Sequence, residues 1–232
     1  MTKNYLCIIP ARSGSKGIKN KNIVKLKKKP LIQYTIDVAK KLKKHCEIVV
    51  STDSLKISKI AKKNKLKFYG LRPKKLSGDY ALTKDVVKFE LNRVERKLKK
   101  KFYAIILLQP TCPIRKENSL KKAIKSLNRN LFDSVVSVSE VGPHHPYRMK
   151  IFKNKYLKNF MHFKNENMKP RQKLPKIYIR SGSFYLIKRD AFLKYNSLVG
   201  RKCKGIILKG LESVNIDKKE DLDYLKLKIK WK

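Results

Sequence analysis

Residues 5–22 have the sequence YLCIIPARSGSKGIKNKN, in which a short apolar run passes directly into a polar loop. An uninterrupted apolar run of this length that ends at turn-forming residues predicts a buried β-strand at Tyr5–Pro10. After the loop, apolar residues recur at helical spacing from Pro30, a residue that favours the first turn of a helix. The order strand, loop and helix predicts the start of a βαβ unit.

Strand and helix patterns continue to alternate along the chain. Further strands are predicted at Glu47–Ser51, Ala104–Gln109, Ser134–Val138, Ser183–Ile187 and Gly205–Leu208. This alternation predicts right-handed crossovers and a three-layer, Rossmann-like α/β fold, in which a mostly parallel sheet carries helices on both faces. Ligands of such sheets bind outside the carboxyl ends of the strands, so the residues that follow each strand are the first candidates for a site.

Residues 141–180 interrupt this rhythm, because they are rich in Pro, His, Asn and Lys and contain only short alternating runs. They predict an insertion with irregular or hairpin structure that serves as a lid or as a dimer contact. No internal repeat and no convincing linker divides the chain, so we expect a single domain over residues 1–232.

Charge is the most prominent feature of the composition. The 232 residues include 60 basic and 17 acidic side chains, with a net charge of +43. A nucleic-acid partner is one explanation, since basic side chains neutralise phosphates. The basic residues are nevertheless spread over every helical segment, which favours a general bias at solvated positions over a specific nucleic-acid surface. Only 11 of the 60 are arginine, so the arginines stand out as candidates for bidentate contacts to phosphate or carboxylate.

Other features concern the compartment. No apolar stretch approaches the roughly 18 residues of a membrane span, and the run before Pro10 is too short for a signal peptide. The four cysteines form no CxxC pair, which argues against a zinc site or a redox dithiol. We therefore expect a cytoplasmic protein without a membrane partner.

The loop after the first strand is the strongest local signal for a ligand. It holds two glycines, two serines, Arg12, Lys16 and Lys21. Exposed backbone N–H groups, hydroxyls and fixed cations together form a cradle for a polyphosphate. Its spacing matches neither GxxxxGK[ST] nor GxGxxG, which argues against the common ATPase and dinucleotide sites. By composition alone, a basic surface loop is an equally good interpretation.

The string IPARSGSKGIKNKN at residues 9–22 resembles the N-terminal signature of the acylneuraminate cytidylyltransferases, the CMP-sialic acid synthetase family. Five further segments resemble that family in the same order. They are LRP with LSGD at 71–79, LLQPTCPIR at 107–115, HHP at 144–146, PRQKLP at 170–175, and ID with EDL at 216–222. The resemblance thus covers almost the whole chain and implies a fold like that of the nucleotide-diphospho-sugar transferases.

The resemblance implies a reaction in which the anomeric hydroxyl of a nine-carbon, sialic-acid-like sugar attacks the α-phosphorus of CTP and releases pyrophosphate. The residues implied for the nucleotide are Arg12, Ser15, Lys16, Lys21, Asn22, Arg72 and Thr83. Those implied for the sugar are Gln109, Arg148, Arg171, Arg180 and Tyr185. Asp217, with Asn215, would bind Mg²⁺, and Arg12, Lys21 and Asp217 would carry the catalysis. The family is commonly dimeric, so a homodimer is expected, and no general base stands out.

Two departures from the family pattern bear on the metal and the sugar. Asn215 stands where many relatives have Asp, and Arg180 lies one residue later than in the sialic-acid enzymes, with Ser181 in place of their Asn. N-acetylneuraminate and a legionaminate therefore both remain open, and an eight-carbon 3-deoxy-manno-octulosonate is the near alternative.

Several of these residues also have structural interpretations. Asp53 is predicted as a helix N-cap outside the site. Asp217 could likewise start the last helix, Gln109 could satisfy backbone groups, and Arg171 could contact a second subunit.

Overall fold

Six strands form the central sheet of the computed structural model, which describes residues 3–161 and 168–229. The strands are β1 at Tyr5–Pro10, β4 at Cys46–Ser51, β5 at Ala104–Leu108, β6 at Ser134–Glu140, β9 at Tyr178–Lys188 and β10 at Cys203–Ile207. Their order across the sheet is β4-β1-β5-β9-β6-β10. Two small antiparallel pairs lie outside it, β2 (Lys25–Leu26) with β3 (Lys29–Pro30) and β7 (Lys150–Lys153) with β8 (Tyr156–Asn159).

Helices pack on both faces of this sheet, as the alternation of patterns predicts. They are α1 at Leu31–Lys40, α2 at Leu55–Lys63, α3 at Thr83–Leu98, α4 at Glu117–Asn128, α5 at Arg189–Tyr195 and α6 at Lys219–Lys228. Successive β1 side chains point to opposite faces, so Cys7 joins one buried cluster with residues of α1, α2 and α4. Ile8 joins the other cluster with residues of α3 and α5. The predicted three-layer architecture is confirmed.

Strand β9 is the one strand of this sheet that runs antiparallel, between β5 and β6. The sequence predicts a strand at Ser183–Ile187 but not its direction or its start at Tyr178, because a buried apolar run has the same composition in either orientation. Since β9 runs against its neighbours, its first residues lie at the edge where the parallel strands end. A register shift of β6 against β9 and a left-handed Gly182 (φ +78°) bend the chain there.

The described part of the 141–180 insertion contains the hairpin β7–β8, two short 3-10 helices and the first residues of β9. The predicted irregular or hairpin structure is therefore confirmed, whereas residues 162–167 of this segment lie outside the described residues. Several large apolar side chains of the hairpin are exposed, including Phe152 at 78% and Tyr156 at 62%.

A third buried cluster connects the last helix to β2 and the start of α1. Leu222 and Leu225 of α6 pack with Leu26 and Leu31. The backbone N–H of Ile216 donates to the carbonyl of Thr111 at 2.7 Å, which holds the segment before α6 against the end of β5. None of the helices that the structure describes is long and apolar enough to cross a membrane.

Candidate functional site

A cleft of about 550 Å³ opens at the carboxyl ends of β1 and β5. This is the edge where an open α/β sheet binds its ligands. Nine of the predicted site residues line it: Arg12, Ser15, Lys16, Lys21, Asn22, Arg72, Thr83, Gln109 and Asp217. The fold therefore brings together residues separated by more than two hundred positions in the chain.

Asp53 anchors the loop that follows β1. Its carboxylate accepts hydrogen bonds from the backbone N–H of Ser13 at 2.8 Å and from the Ser13 hydroxyl at 2.5 Å. Burial alone raises the pKa of Asp53, but these hydrogen bonds and the nearby charge of Arg72 outweigh it and lower the pKa. The prediction that Asp53 caps a helix is wrong, because Ser54 is the N-cap of α2 and its hydroxyl accepts from Ile57 N–H at 3.4 Å. The anchoring role of Asp53 was not predicted from the sequence, although the position of Asp53 just after β4 was a signal for it.

Gly17 brings the same loop against the segment that carries Asp217. A Cβ atom built on Gly17 would lie 2.2 Å from the backbone oxygen of Asp217, far inside van der Waals contact. Only glycine fits this close approach of two backbones. By contrast, a Cβ atom on Gly14 would meet no atom within 4 Å, so only the second glycine of the loop is required sterically.

Lys21 is the most enclosed cation of the loop, with 14% of its side chain exposed. Its ammonium group donates to a carboxylate oxygen of Asp217 at 3.1 Å and to the carbonyl of Ile216 at 3.0 Å. Asn22 is buried beside it, and its amide nitrogen donates to the carbonyl of Arg12 at 2.9 Å. Asn22 thus closes the loop on itself, while Lys21 directs one charge into the cleft.

Asp79 pairs with Arg12 and Lys16 of the same loop. Its carboxylate lies 2.9 Å from the Arg12 guanidinium and 3.2 Å from the Lys16 ammonium group. Hydrogen bonds from Lys16 and Arg12 lower the pKa of Asp79. Asp79 belongs to the LSGD segment, but the sequence analysis gave it no role. Asp79 therefore pairs with the positive charges that a polyphosphate would need in order to bind.

Arg72 lies beneath the cleft with only 3% of its side chain exposed. Its Nε donates to the Ser77 hydroxyl at 3.2 Å, and its Nη2 lies 4.0 Å from Asp53. Burial lowers the pKa of Arg72, although the charge of Asp53 opposes this effect. Thr83 lines the cleft at the first turn of α3. Arg72 and Thr83 thus both line the cleft.

Gln109 follows β5, and its position depends on two residues to which the sequence analysis gave no role. Gly182 has a φ of +78°, which favours glycine, and a Cβ atom there would also lie 2.8 Å from the Gln109 side-chain oxygen. Arg115 is buried and donates to the carbonyls of Gln109 and Ser183 and to the Thr35 hydroxyl. Burial lowers the pKa of Arg115 to about 10. The sequence signal for this role was the presence of an arginine in a chain whose basic residues are mostly lysine.

Asp217 is held from several sides. Lys21 binds one carboxylate oxygen, and the amide nitrogen of Asn215 donates to the other at 2.5 Å. The Asp221 carboxylate accepts from the backbone N–H groups of Asp217 and Lys218 at 2.9 and 2.8 Å. Asp221, rather than Asp217, therefore caps the start of α6.

These residues fit a Mg²⁺ ion that is shared with substrate. No group of three or more His, Cys, Asp or Glu side chains in the described ranges could hold a metal ion. Mg²⁺ needs fewer protein ligands than that, since it is usually bound by one or two carboxylates together with substrate phosphates. Asp217, exposed in the cleft, can supply such a carboxylate.

The other predicted sugar residues lie outside the lining of this cleft. Arg148 is exposed and donates to the carbonyl of Lys169 at 3.1 Å. Arg171 lines a separate cavity of about 320 Å³. Arg180 is exposed at the start of β9, and Tyr185 is half-buried in the middle of that strand. Gln109 is thus the one predicted sugar residue that the cleft contains among those described.

Ser181, the residue that departs from the family pattern, does not face this cleft. It is buried, and its hydroxyl donates to that of Ser137 at 2.8 Å. His145 is also buried, and its ring nitrogens face the N–H of Tyr147 and the carbonyl of Pro175, each at 3.1 Å. Both residues support the local backbone.

Comparisons with known proteins bear on the fold and the family of the chain. The model of the family described as Cytidylyltransferase matches residues 6–227. The post-translational flagellin modification protein B of Campylobacter coli is 33% identical over 98% of this chain and 95% of that protein. The CMP-N,N'-diacetyllegionaminic acid synthase of Campylobacter jejuni is 32% identical over 98% of this chain and 95% of that protein.

Among solved structures, a CMP:2-keto-3-deoxy-manno-octonic acid synthetase complexed with CTP resembles this chain with a TM-score of 0.68. The two share 16% identity over 97% of this chain and 98% of the other. At such low identity the likeness supports the fold and carries no information on the sugar.

Proposed function

The chain belongs to the cytidylyltransferase family, and we propose that it transfers CMP from CTP to the anomeric hydroxyl of a nine-carbon, sialic-acid-like sugar. The observation that carries this proposal is the cleft itself. The loop cations Arg12, Lys16 and Lys21 converge there with the carboxylate of Asp217 and the amide of Gln109. Nucleotidyl transfer needs such an arrangement, since it depends chiefly on positioning and on charge neutralisation.

In the proposed reaction the anomeric oxygen forms a bond to the α-phosphorus of CTP while the bond to the β-phosphate breaks. Pyrophosphate leaves, and the hydroxyl proton passes to solvent. Arg12 and Lys16 would bind the triphosphate after exchanging Asp79 for it. Lys21, enclosed beside Asp217, would offset the negative charge that builds on the leaving group. Arg72, Asn22, Ser15 and Thr83 would complete the nucleotide site.

Mg²⁺ is the proposed cofactor, and Asp217 would hold it together with the triphosphate. When bound, such an ion neutralises phosphate charge and fixes the geometry of the reacting group. Asn215, the second predicted ligand, contacts Asp217 through its amide nitrogen.

For the sugar we propose a legionaminate-type substrate, with N-acetylneuraminate as the second compound to test. The proposal is supported by the 32% identity to the diacetyllegionaminic acid synthase over nearly the whole chain. Gln109 would hydrogen-bond the sugar. Arg148, Arg171 and Arg180 remain the candidates for its carboxylate, and Tyr185 for its acylamido group.

A homodimer that uses the 141–180 insertion is part of the same proposal. The exposed Ile151, Phe152, Tyr156 and Leu157 give the β7–β8 hairpin more apolar surface than a solvated hairpin needs. We also propose a cytoplasmic location, which the four free cysteines and the use of CTP support. Neither a membrane nor a specific nucleic acid is proposed as a partner.

The test is release of pyrophosphate by the pure protein from CTP and Mg²⁺. It is run with N-acetylneuraminate, a diacetamido legionaminate and the eight-carbon 3-deoxy-manno-octulosonate in parallel. We expect release with a nine-carbon acidic sugar and little with the eight-carbon one. Turnover with the eight-carbon sugar alone would replace the proposed substrate, and no release with any sugar would refute the proposed activity.

A further inference from the structure

We propose that Asn215 is a positioning residue that orients Asp217 by donating a hydrogen bond, so that Asp217 alone offers a carboxylate to the divalent cation and the cation binds together with the triphosphate. This inference rests on the proposed function and assigns Asn215 a role different from that of a metal ligand. Its basis is the direction of the Asn215 amide.

The amide nitrogen of Asn215 lies 2.5 Å from a carboxylate oxygen of Asp217. The opposite rotamer would place the amide oxygen at that distance from the carboxylate oxygen, and two acceptors repel each other at such a separation. The geometry therefore selects the rotamer in which Asn215 donates. A donating amide cannot ligate a cation with that nitrogen.

The amide oxygen of Asn215 is directed away from Asp217. It lies 3.4 Å from the sulfur of Cys112, and the same sulfur lies 3.3 Å from the carbonyl of Ser181. Cys112 is buried, and Asn215 does not line the cleft among the described residues. The oxygen that a metal site would use is therefore turned toward the protein.

Asp217 consequently has a donor on each oxygen, Asn215 on one and Lys21 on the other. One carboxylate already neutralised by a lysine attracts a free divalent cation weakly. The triphosphate adds several negative oxygens at the same place and can compete for Lys21. Cation and nucleotide should therefore bind together, with the protein supplying one fixed carboxylate.

Binding of Mn²⁺, followed by electron paramagnetic resonance of the free ion, tests this directly. The titration is done without nucleotide and with a CTP analogue whose α,β-bridging oxygen is a methylene group, and the Mn²⁺ bound by the analogue alone, measured without protein, is subtracted. Without nucleotide, the wild type and Asp217→Asn should bind Mn²⁺ equally weakly. With the analogue, the wild type should bind about 10-fold or more tightly than Asp217→Asn, and Asn215→Ala should lie between them.

Asn215→Asp places a second carboxylate at the same position and should bind Mn²⁺ without nucleotide about 10-fold more tightly than the wild type. The control is Asn92→Asp, which adds the same charge on the exposed surface of α3 and should leave Mn²⁺ binding unchanged. In turnover, Asn215→Ala should lower kcat while the KM for CTP stays near that of the wild type.

The proposal is overturned if Asn215→Ala loses Mn²⁺ binding as completely as Asp217→Asn, because Asn215 would then be a ligand. It is also overturned if the wild type binds Mn²⁺ as tightly without the analogue as with it. Neither outcome touches the proposed function, provided that pyrophosphate is released in the sugar panel. Failure of the proposed function would instead appear as absent release together with no effect of the analogue on Mn²⁺ binding.

Discussion

Replacement of Gly17 by alanine isolates the contact between the loop that follows β1 and the segment that carries Asp217. The added Cβ atom would lie 2.2 Å from a backbone oxygen, and atoms of this kind need at least about 3 Å. The two backbones must therefore separate by about 1 Å. Gly17 does not have a positive φ, so alanine adds no conformational strain of its own and the effect is purely steric.

This displacement has two calculable consequences. Overpacking of this kind costs about 1–3 kcal/mol of unfolding free energy. A misplacement of about 1 Å at a reacting centre lowers the rate by about 100-fold, because Lys21 and Asp217 would no longer keep their 3.1 Å contact. We therefore expect Gly17→Ala to remain folded and to lose about two orders of magnitude in kcat/KM for CTP.

Gly14→Ala is the matched control, since it changes the same loop by the same methyl group and meets no atom within 4 Å. It should keep nearly full activity and unchanged or slightly higher stability. The assays are urea denaturation and pyrophosphate release at saturating sugar with varied CTP. Equal activity of the two variants would show that the close approach of Gly17 to Asp217 does not position the site.

Four other predictions concern residues around the cleft and the hairpin. Asp53→Asn should weaken both stability and CTP turnover at pH 7 by loosening Ser13. Because folding lowers the pKa of Asp53, its contribution to stability is present above the ordinary carboxyl pKa of about 4 and is lost as the pH falls below it. The urea midpoints of variant and wild type should therefore converge at low pH. Asp79→Asn should lower the KM for CTP, more at low salt than at high salt, since it removes a carboxylate that competes with the triphosphate; a higher KM would instead mean that Asp79 holds the cations in place. Arg115→Met should lower the unfolding free energy by about 2 kcal/mol or more, because it leaves buried acceptors unpaired; an unchanged urea midpoint would contradict the role assigned to this arginine. Phe152→Asp should convert a dimer to a monomer in sedimentation velocity, and an unchanged sedimentation coefficient would exclude this part of the hairpin from the interface.

The parts of the fold that could be predicted are those that short sequence patterns determine. The strand at Tyr5–Pro10 and its polar loop are consecutive in the chain, and both lie where the pattern predicts them. Strand β9 shows the limit, because alternation and burial do not report the direction of a strand. Because β9 runs antiparallel, Arg180 near its start lies at the edge where the parallel strands end, while Tyr185 lies within the sheet.

A family resemblance identifies the residues expected to contact a ligand, but local sequence patterns do not identify the residues that hold them in place. Asp53 and Ser13 are 40 positions apart, and Arg115 and Ser183 are 68 apart. Such contacts depend on how strands are ordered in the sheet, which no window of sequence contains. The position of Arg171 at a separate cavity is of the same kind, since it depends on the path of the insertion.

The most direct test of the central claim is to follow each phosphate of CTP separately. Protein and Mg²⁺ are incubated with a legionaminate-type sugar or with N-acetylneuraminate, and with CTP labelled with ³²P at the α-position or, in a parallel reaction, at the γ-position. If this chain transfers CMP, the α-label appears in a sugar–CMP product and the γ-label appears only in pyrophosphate. Transfer of the γ-label to the sugar, or no transfer of the α-label to any acidic nine-carbon sugar, would contradict it.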